Sequence, residues 1–243
     1  MRFAKIFLSV ILIFSVSGCG LFGGGSSLQR ATPGGLFQQG YEDYQDGKYK
    51  KAVESFQRLK EEYPLSKYAI LAEMGIADSY FSQGDYMESE VAYSDFMDFH
   101  PTNENLPYVM YQLGMSHYNQ LIGIDRDQTE VLKAKDAFAR LITRFPSTKF
   151  AFIAEKRLRD CLKRLGEHEF YVGKFYFGQE KYRAALMRFQ IVEREYAGLG
   201  LDYKVSYFLH ETKRFLAEQE QGREKKQVQE QGPVKEQGPE SNN

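Results

Sequence analysis

Cysteine is nearly absent from this chain of 243 residues, with Cys19 and Cys161 the two examples. Tryptophan is missing altogether, although 17 Tyr and 19 Phe make aromatics abundant. Charge of one sign does not dominate either. The 32 Lys and Arg against 33 Asp and Glu leave a net charge of −1 at pH 7, a balance that argues against nucleic acid as a partner, for which a basic face is expected. The signatures of catalysis are also wanting: no Gly-x-Ser-x-Gly, no Gly-rich phosphate loop and no His-Glu-x-x-His occurs. The four histidines, His100, His117, His168 and His210, have no second His or Cys at a metal-binding spacing. No enzyme activity, metal or cofactor is therefore expected. Cys161 reads as a small buried hydrophobe on a helix rather than a reactive group.

Beyond the amino terminus no segment is apolar enough to cross a bilayer, which takes ~20 residues. What is there begins with Arg2 and Lys5, followed by an apolar core from Phe7 to Phe14 and the small-residue run Val16-Ser17-Gly18-Cys19. This is a signal-peptide pattern, and its end resembles the lipobox of bacterial lipoproteins. The expectation is cleavage before Cys19 and lipidation of its sulfur, with residues 1–18 removed and the net charge shifted from −1 to −3. Gly20 follows the cysteine in place of the Asp that resembles an inner-membrane retention signal, which favours the periplasmic face of the outer membrane. Residues 19–34 are rich in Gly and Ser and read as a flexible tether. Residues 221–243, with Gln-Glu-Gln-Gly-Pro at 229–233 and Glu-Gln-Gly-Pro at 236–239, hold too little apolar content to order and read as a disordered tail.

Between them, residues 35–220 repeat. Ala52-x3-Phe56 is followed eight residues on by Pro64, Ser89-x3-Tyr93 by Pro101 and Ala134-x3-Phe138 by Pro146, while Ala185-x3-Phe189 leads to Ala197. Twelve residues before three of these small residues stand Gly40, Ala77 and Gly173; in the third unit Gly114 stands 20 before Ala134. Small residues let two helices cross closely, the aromatic fills the gap toward the next unit, and the proline ends the second helix. This is the tetratricopeptide pattern. Gly47, Gly84 and the segment 179–182 mark turns within pairs, and Ser66 and Thr148 read as helix N-caps. Ten helices are predicted, at about 35–46, 48–62, 67–83, 85–99, 105–120, 129–145, 148–165, 167–178, 181–196 and 202–219. The expected fold is all-α, a right-handed tetratricopeptide-repeat solenoid of about five helix pairs with a concave groove.

Counted from the small residue of each first helix, the groove positions fall on Phe37, Tyr41 and Tyr44, then Leu71, Met74, Asp78 and Phe81, then Tyr108, Tyr111, Met115 and Tyr118. Such an aromatic stripe suits an aromatic-rich peptide, and it serves equally well as packing between helices. The insert at 121–128 carries Ile122 and Ile124 near its tip, for a partner or for a fold back onto the domain.

Several segments together resemble the BamD family, lipoproteins of the outer-membrane β-barrel assembly machine. They are the lipobox at Cys19, Tyr108-Val-Met-Tyr-Gln-Leu-Gly114 with the insert behind it, Pro146-x-x-x-Phe150 with Glu155-Lys-Arg-Leu158, and Glu169-Phe-Tyr-Val-Gly-Lys-Phe-Tyr176. The resemblance covers about residues 19–220 and implies a scaffold. It implies binding of the aromatic-rich C-terminal signal of unfolded outer-membrane proteins, with Phe37, Tyr41, Tyr44, Phe81, Tyr108 and Tyr111 as candidate contacts. It also implies a contact with the periplasmic domains of BamA through the C-terminal repeats. There Arg188 matches a family arginine that pairs with BamA, and Arg183, Met187 and Glu195 are its neighbours. Other Bam lipoproteins are further implied partners, although the Gln-Glu-Gly-Pro tail departs from the family. Periplasmic adaptors of cell division resembling CpoB, and lipoproteins that assist secretin assembly, share the repeat and form the alternative; the coiled coil usual in the former is not seen between Cys19 and Gly34.

Overall fold

Nine α-helices and no strand make up the regular structure of residues 32–231, the part of the chain that the computed structural model describes. The chain divides into two compact units, with the boundary between Ala92 and Tyr93. In the first, α1 (Pro33–Gln45), α2 (Tyr49–Glu62) and α3 (Lys67–Gln83) precede the start of α4 (Tyr86–Phe99). Helix α1 begins two residues inside the segment read as tether. Thr32 caps it by accepting from the Gly35 amide at 3.1 Å, and Pro33 occupies the first turn, where a missing N–H costs nothing. The chain turns at Gly47 with φ +73°, a left-handed conformation natural to glycine. On α2 the buried residues Ala52, Ser55, Phe56 and Leu59 recur at helical spacing. The ring of Phe56 is wedged between two glycines. A Cβ added at Gly40 of α1 or at Gly75 of α3 would lie 2.6 Å from it. Ser66 caps α3 by accepting from the Tyr68 amide at 3.3 Å.

The second unit holds α5 (Leu106–Asn119), α6 (Thr129–Arg144), α7 (Lys149–Gly178), α8 (Tyr182–Glu195) and α9 (Asp202–Gln231) after the end of α4. The glycine–aromatic contact recurs twice. A Cβ at Gly114 of α5 would meet the Phe138 ring of α6 at 2.5 Å, and one at Gly173 of α7 would meet the Phe189 ring of α8 at 2.5 Å. Two cores result. Met110, Val131, Phe138, Leu141, Ala154, Cys161 and Leu165 form the one; Ala185, Phe189, Val192, Leu201, Val205 and Leu209 form the other, with Phe170 and Phe177 of α7 packed against it. The fold is the all-α tetratricopeptide repeat, with about five helix pairs.

Two differences from the sequence reading concern helix ends. The segment 148–178, expected as two helices, is one helix of 30 residues, capped by Thr148, which accepts from the Ala151 amide at 3.2 Å. The split rested on the length of the segment; Gly166, which falls between the two expected helices, lies within the single one, where a Cβ would sit 2.9 Å from Cβ of Tyr196. The last helix continues to Gln231, eleven residues into the segment read as disordered. Its extension is Gln-Gly-Arg-Glu-Lys-Lys-Gln-Val-Gln-Glu-Gln, built mostly from strong helix formers and free of proline up to Pro233, so intrinsic propensity carries a helix that no apolar face demands.

Candidate protein-binding surfaces

In the first unit, Phe37 and Tyr44 sit on the side of α1 that meets α3. The Phe37 ring centroid lies 5.7 Å from Phe56 and 5.5 Å from Tyr68. Tyr44 packs edge-on to Tyr49 at 5.6 Å and shares a hydroxyl hydrogen bond of 3.0 Å with Ser82 of α3. Phe81 meets Tyr86 edge-on at 5.5 Å. These three rings are half-buried mortar between helices. Tyr41 is different: it is 48% exposed and touches the stripe only through a stacked contact with Phe37 at 6.5 Å.

The second unit splits its aromatics in the same way. Tyr108 packs edge-on to Phe150 at 5.5 Å, its hydroxyl accepting from Gln112, and Tyr111 lies 6.0 Å from both Phe138 and Phe150. The outward edge of Tyr111 opens onto a groove of about 540 Å³ along the first half of α7, lined also by Phe152, Ile153, Glu155, Lys156, Arg157 and Arg159. Arg157 lies 5.1 Å from the Tyr118 ring centroid. Burial works against its charge, but the hydroxyls of Tyr111 and Tyr118 outweigh that and hold its pKa above the ordinary value. Phe152 is 76% exposed. The sequence reading missed this groove, yet a signal was present. Thirteen residues after Pro64 and Pro101 stand the small residues Ala77 and Gly114, whereas thirteen after Pro146 stands Arg159. A large cation stands in the small-residue slot, exposed and lining the groove.

On α8 the four residues named as partner contacts fall into two kinds. Arg188 donates to Glu169 of α7 at 2.9 Å, the two side chains being partly buried. Arg183 pairs with Glu220 of α9 at 2.7 Å and Glu195 with its neighbour Arg194 at 2.8 Å, all of them at the surface. Met187, one turn beyond Arg183, is 65% exposed.

The insert folds back. Nδ1 of His168 on α7 donates to the Ile124 carbonyl at 2.6 Å, and the side-chain amide of buried Gln128 donates to the carbonyls of Gly123 and Arg126 at 3.0 and 2.8 Å. Ile122 remains exposed at its tip. Behind the insert His117 of α5 and Glu130 of α6 pair at 2.8 Å, and Lys133 reaches the other Glu130 oxygen at 3.1 Å. Burial pushes the Glu130 carboxyl up, but the hydrogen bonds from His117 and Lys133 prevail and hold it below the ordinary 4.5. Cys161 is fully buried, and that burial pushes its thiol up to about 12. Cys19 lies outside the described residues. Among those residues no helix is long and apolar enough to cross a membrane.

The model of the family described as "YfiO: Outer membrane lipoprotein" matches residues 29–228. Among curated proteins the chain is similar to "Outer membrane protein assembly factor BamD" of Rickettsia prowazekii, with 30% identity over 161 residues, 66% of this chain and 64% of that protein. It is similar also to the proteins of the same description from Vibrio cholerae, 27% identical over 72% of this chain and 78% of that one, and from Neisseria meningitidis serogroup B, 28% identical over 82% and 84%. The chain thus spans a little under two thirds of the Rickettsia relative.

Proposed function

Since the chain belongs to the YfiO family of outer membrane lipoproteins, we propose that it works as a non-catalytic scaffold in the assembly of outer-membrane β-barrel proteins, held at the periplasmic face by lipid on Cys19. The observation that carries this reading is the family match across 29–228, which spans every described helix apart from the last turn of α9. Similarity to proteins described as outer membrane protein assembly factors supports the same role.

Two surfaces serve it. The α8 face with Arg183, Met187, Arg188 and Glu195 receives the periplasmic domains of BamA, Met187 giving apolar area and Arg188 a charge already aimed by Glu169. A guanidinium fixed by one carboxylate loses less rotamer freedom when a second one approaches. The exposed aromatic edges, Tyr41 in the first unit and Tyr111 in the second, meet the aromatic C-terminal signal of unfolded barrel proteins. Phe37 and Tyr44 fix α1 behind Tyr41, Tyr108 fixes α5 behind Tyr111, and Phe81 adds packing against Tyr86. Rigid helices can retain an extended client without any bond-making step.

The test is affinity capture of the whole chain from detergent-extracted membranes. Recovery of BamA supports the reading; recovery of a secretin or of Tol proteins in its place overturns it. Arg188→Glu lowers BamA recovery, and Tyr41→Ala with Tyr111→Ala lowers affinity for a synthetic C-terminal barrel-protein peptide, both with the helical circular dichroism unchanged. Unaltered affinity in a folded variant removes those residues from the site.

A further inference from the structure

In the second unit the first helix of a pair is covered by the helix that follows it, Gly114 of α5 by Phe138 of α6 and Gly173 of α7 by Phe189 of α8. The first half of α7 departs from this. Ala151, Ala154, Cys161 and Leu165 are buried, with Ala154, Cys161 and Leu165 in the core built on α6. Where its own second helix would pack, the chain instead continues straight on as α7. The side left open carries Phe152, Lys156, Arg159 and Lys163, all exposed and spaced four, three and four apart, which is one face of a helix. The stripe is ~16 Å long at 1.5 Å per residue. It borders the groove lined by Tyr111, Ile153 and Glu155.

Two of the three cations in this face are unpaired among the described residues. Arg157 reaches Asp160 at 3.8 Å and Lys163 reaches Glu167 at 4.0 Å, whereas neither Lys156 nor Arg159 has an ion-pair partner among the described residues. This concentration of cations stands in a chain whose net charge is −1, so it is a local feature rather than a reflection of composition. Beside the cations lie the ring of Phe152, 76% exposed, and Ile153, 41% exposed. Arg159 fills the slot where other repeats keep Ala77 or Gly114, so an aromatic side chain cannot close on it as Phe138 closes on Gly114. A carboxylate can.

We propose that this face docks an acidic amphipathic helix of a partner protein, seated where the first half of α7 lacks its second helix. The carboxylates of that helix meet Lys156, Arg159 and Lys163, and its apolar residues cover Phe152 and Ile153. The open stripe is shorter than the 14- to 16-residue second helices α2, α6 and α8 and matches about three turns of helix, and its cations, spaced three and four residues apart, offer partners to one face of a helix rather than to an extended strand. Charge complementarity sets the sign of the partner and its register. The client contact proposed at Tyr111 borders this same groove, so the two readings are separated by variants that leave Tyr111 intact.

Fluorescence anisotropy on the whole chain tests it. The probe is a stapled amphipathic helix with glutamates along one face and leucines beside them, with a Lys-for-Glu counterpart and an extended peptide ending in phenylalanine as comparisons. The expected result is that the Glu helix binds at least about tenfold more tightly than its Lys counterpart. Lys156→Glu with Arg159→Glu abolishes that preference and transfers it to the Lys helix, and raised salt weakens both. Phe152→Ala weakens the Glu helix without transferring the preference. All three positions are exposed, so circular dichroism should show intact folds. Equal binding of the two helices, or a preference that survives the double reversal, overturns the proposal. So does capture of the extended peptide alone, lost on Lys156→Glu with Arg159→Glu, which would make the face part of the client contact at Tyr111.

Discussion

At Gly166 the two reasons for keeping a glycine in a helix predict opposite signs. If the residue merely loosened α7, Gly166→Ala would stabilise by up to about 1 kcal/mol through helix propensity. In the structure a Cβ would lie 2.9 Å from Cβ of Tyr196, an atom that cannot move without its backbone. Crowding of this kind costs about 1–3 kcal/mol, so the variant should unfold at lower urea concentration than the wild type. Gly114→Ala and Gly173→Ala, each facing an aromatic ring at 2.5 Å, should behave alike. Glu130 offers a pH-dependent test. Its carboxyl is held below the ordinary 4.5 in the folded chain, so its contribution is present above that value and fades as pH falls through the folded pKa. Glu130→Gln should therefore destabilise by about 1 kcal/mol at pH 7, and the gap should narrow in paired urea titrations as the pH is lowered below 4.5. Cys161, with its thiol pushed up to about 12 by burial, should not react with iodoacetamide until the chain unfolds.

Helix α6 shows how much one side chain can hold. Phe138 is fully buried, touches Tyr111 and Tyr118 at 6.0 and 6.5 Å, and fills the space that Gly114 leaves. Phe138→Ala should cost about 3–5 kcal/mol, read as a fall in the thermal midpoint. The pairing of helices was legible in the sequence because its cause is local. Gly40 with Phe56, Gly114 with Phe138 and Gly173 with Phe189 are each set by two short motifs and a turn. The joining of two helices into α7 was not legible, since the partner of Gly166 is Tyr196, thirty residues downstream and unrelated to the motif. The extension of α9 was hidden for a different reason: over 221–231 a polar composition poor in apolar residues points to disorder, whereas the helix propensity of Gln, Glu, Lys and Arg points to a helix.

For the molecule as a whole, the aromatic stripe teaches the same lesson at longer range. Helical spacing located Phe37, Tyr44 and Tyr108 on one face, but whether that face is covered depends on Tyr68, Ser82 and Phe150 of later repeats. Of its rings Tyr41 is exposed and Tyr111 turns an edge to the groove. The anchoring reading makes its own prediction: wild-type chain labels with palmitate and sediments with outer membranes, whereas Cys19→Ser remains in the soluble periplasmic fraction, because stable anchoring needs more than one acyl chain. An unmodified thiol in the wild type would refute it. The unbroken α7 also governs how this protein can change over time. A residue added in its middle would swing the α8–α9 bundle by ~100° about the helix axis and slide it 1.5 Å, throwing Phe189 and Phe208 out of phase with everything before them. Length can drift at the Leu121–Gln128 insert with little consequence, but between Lys149 and Gly178 the residue count behaves like the pitch of a screw.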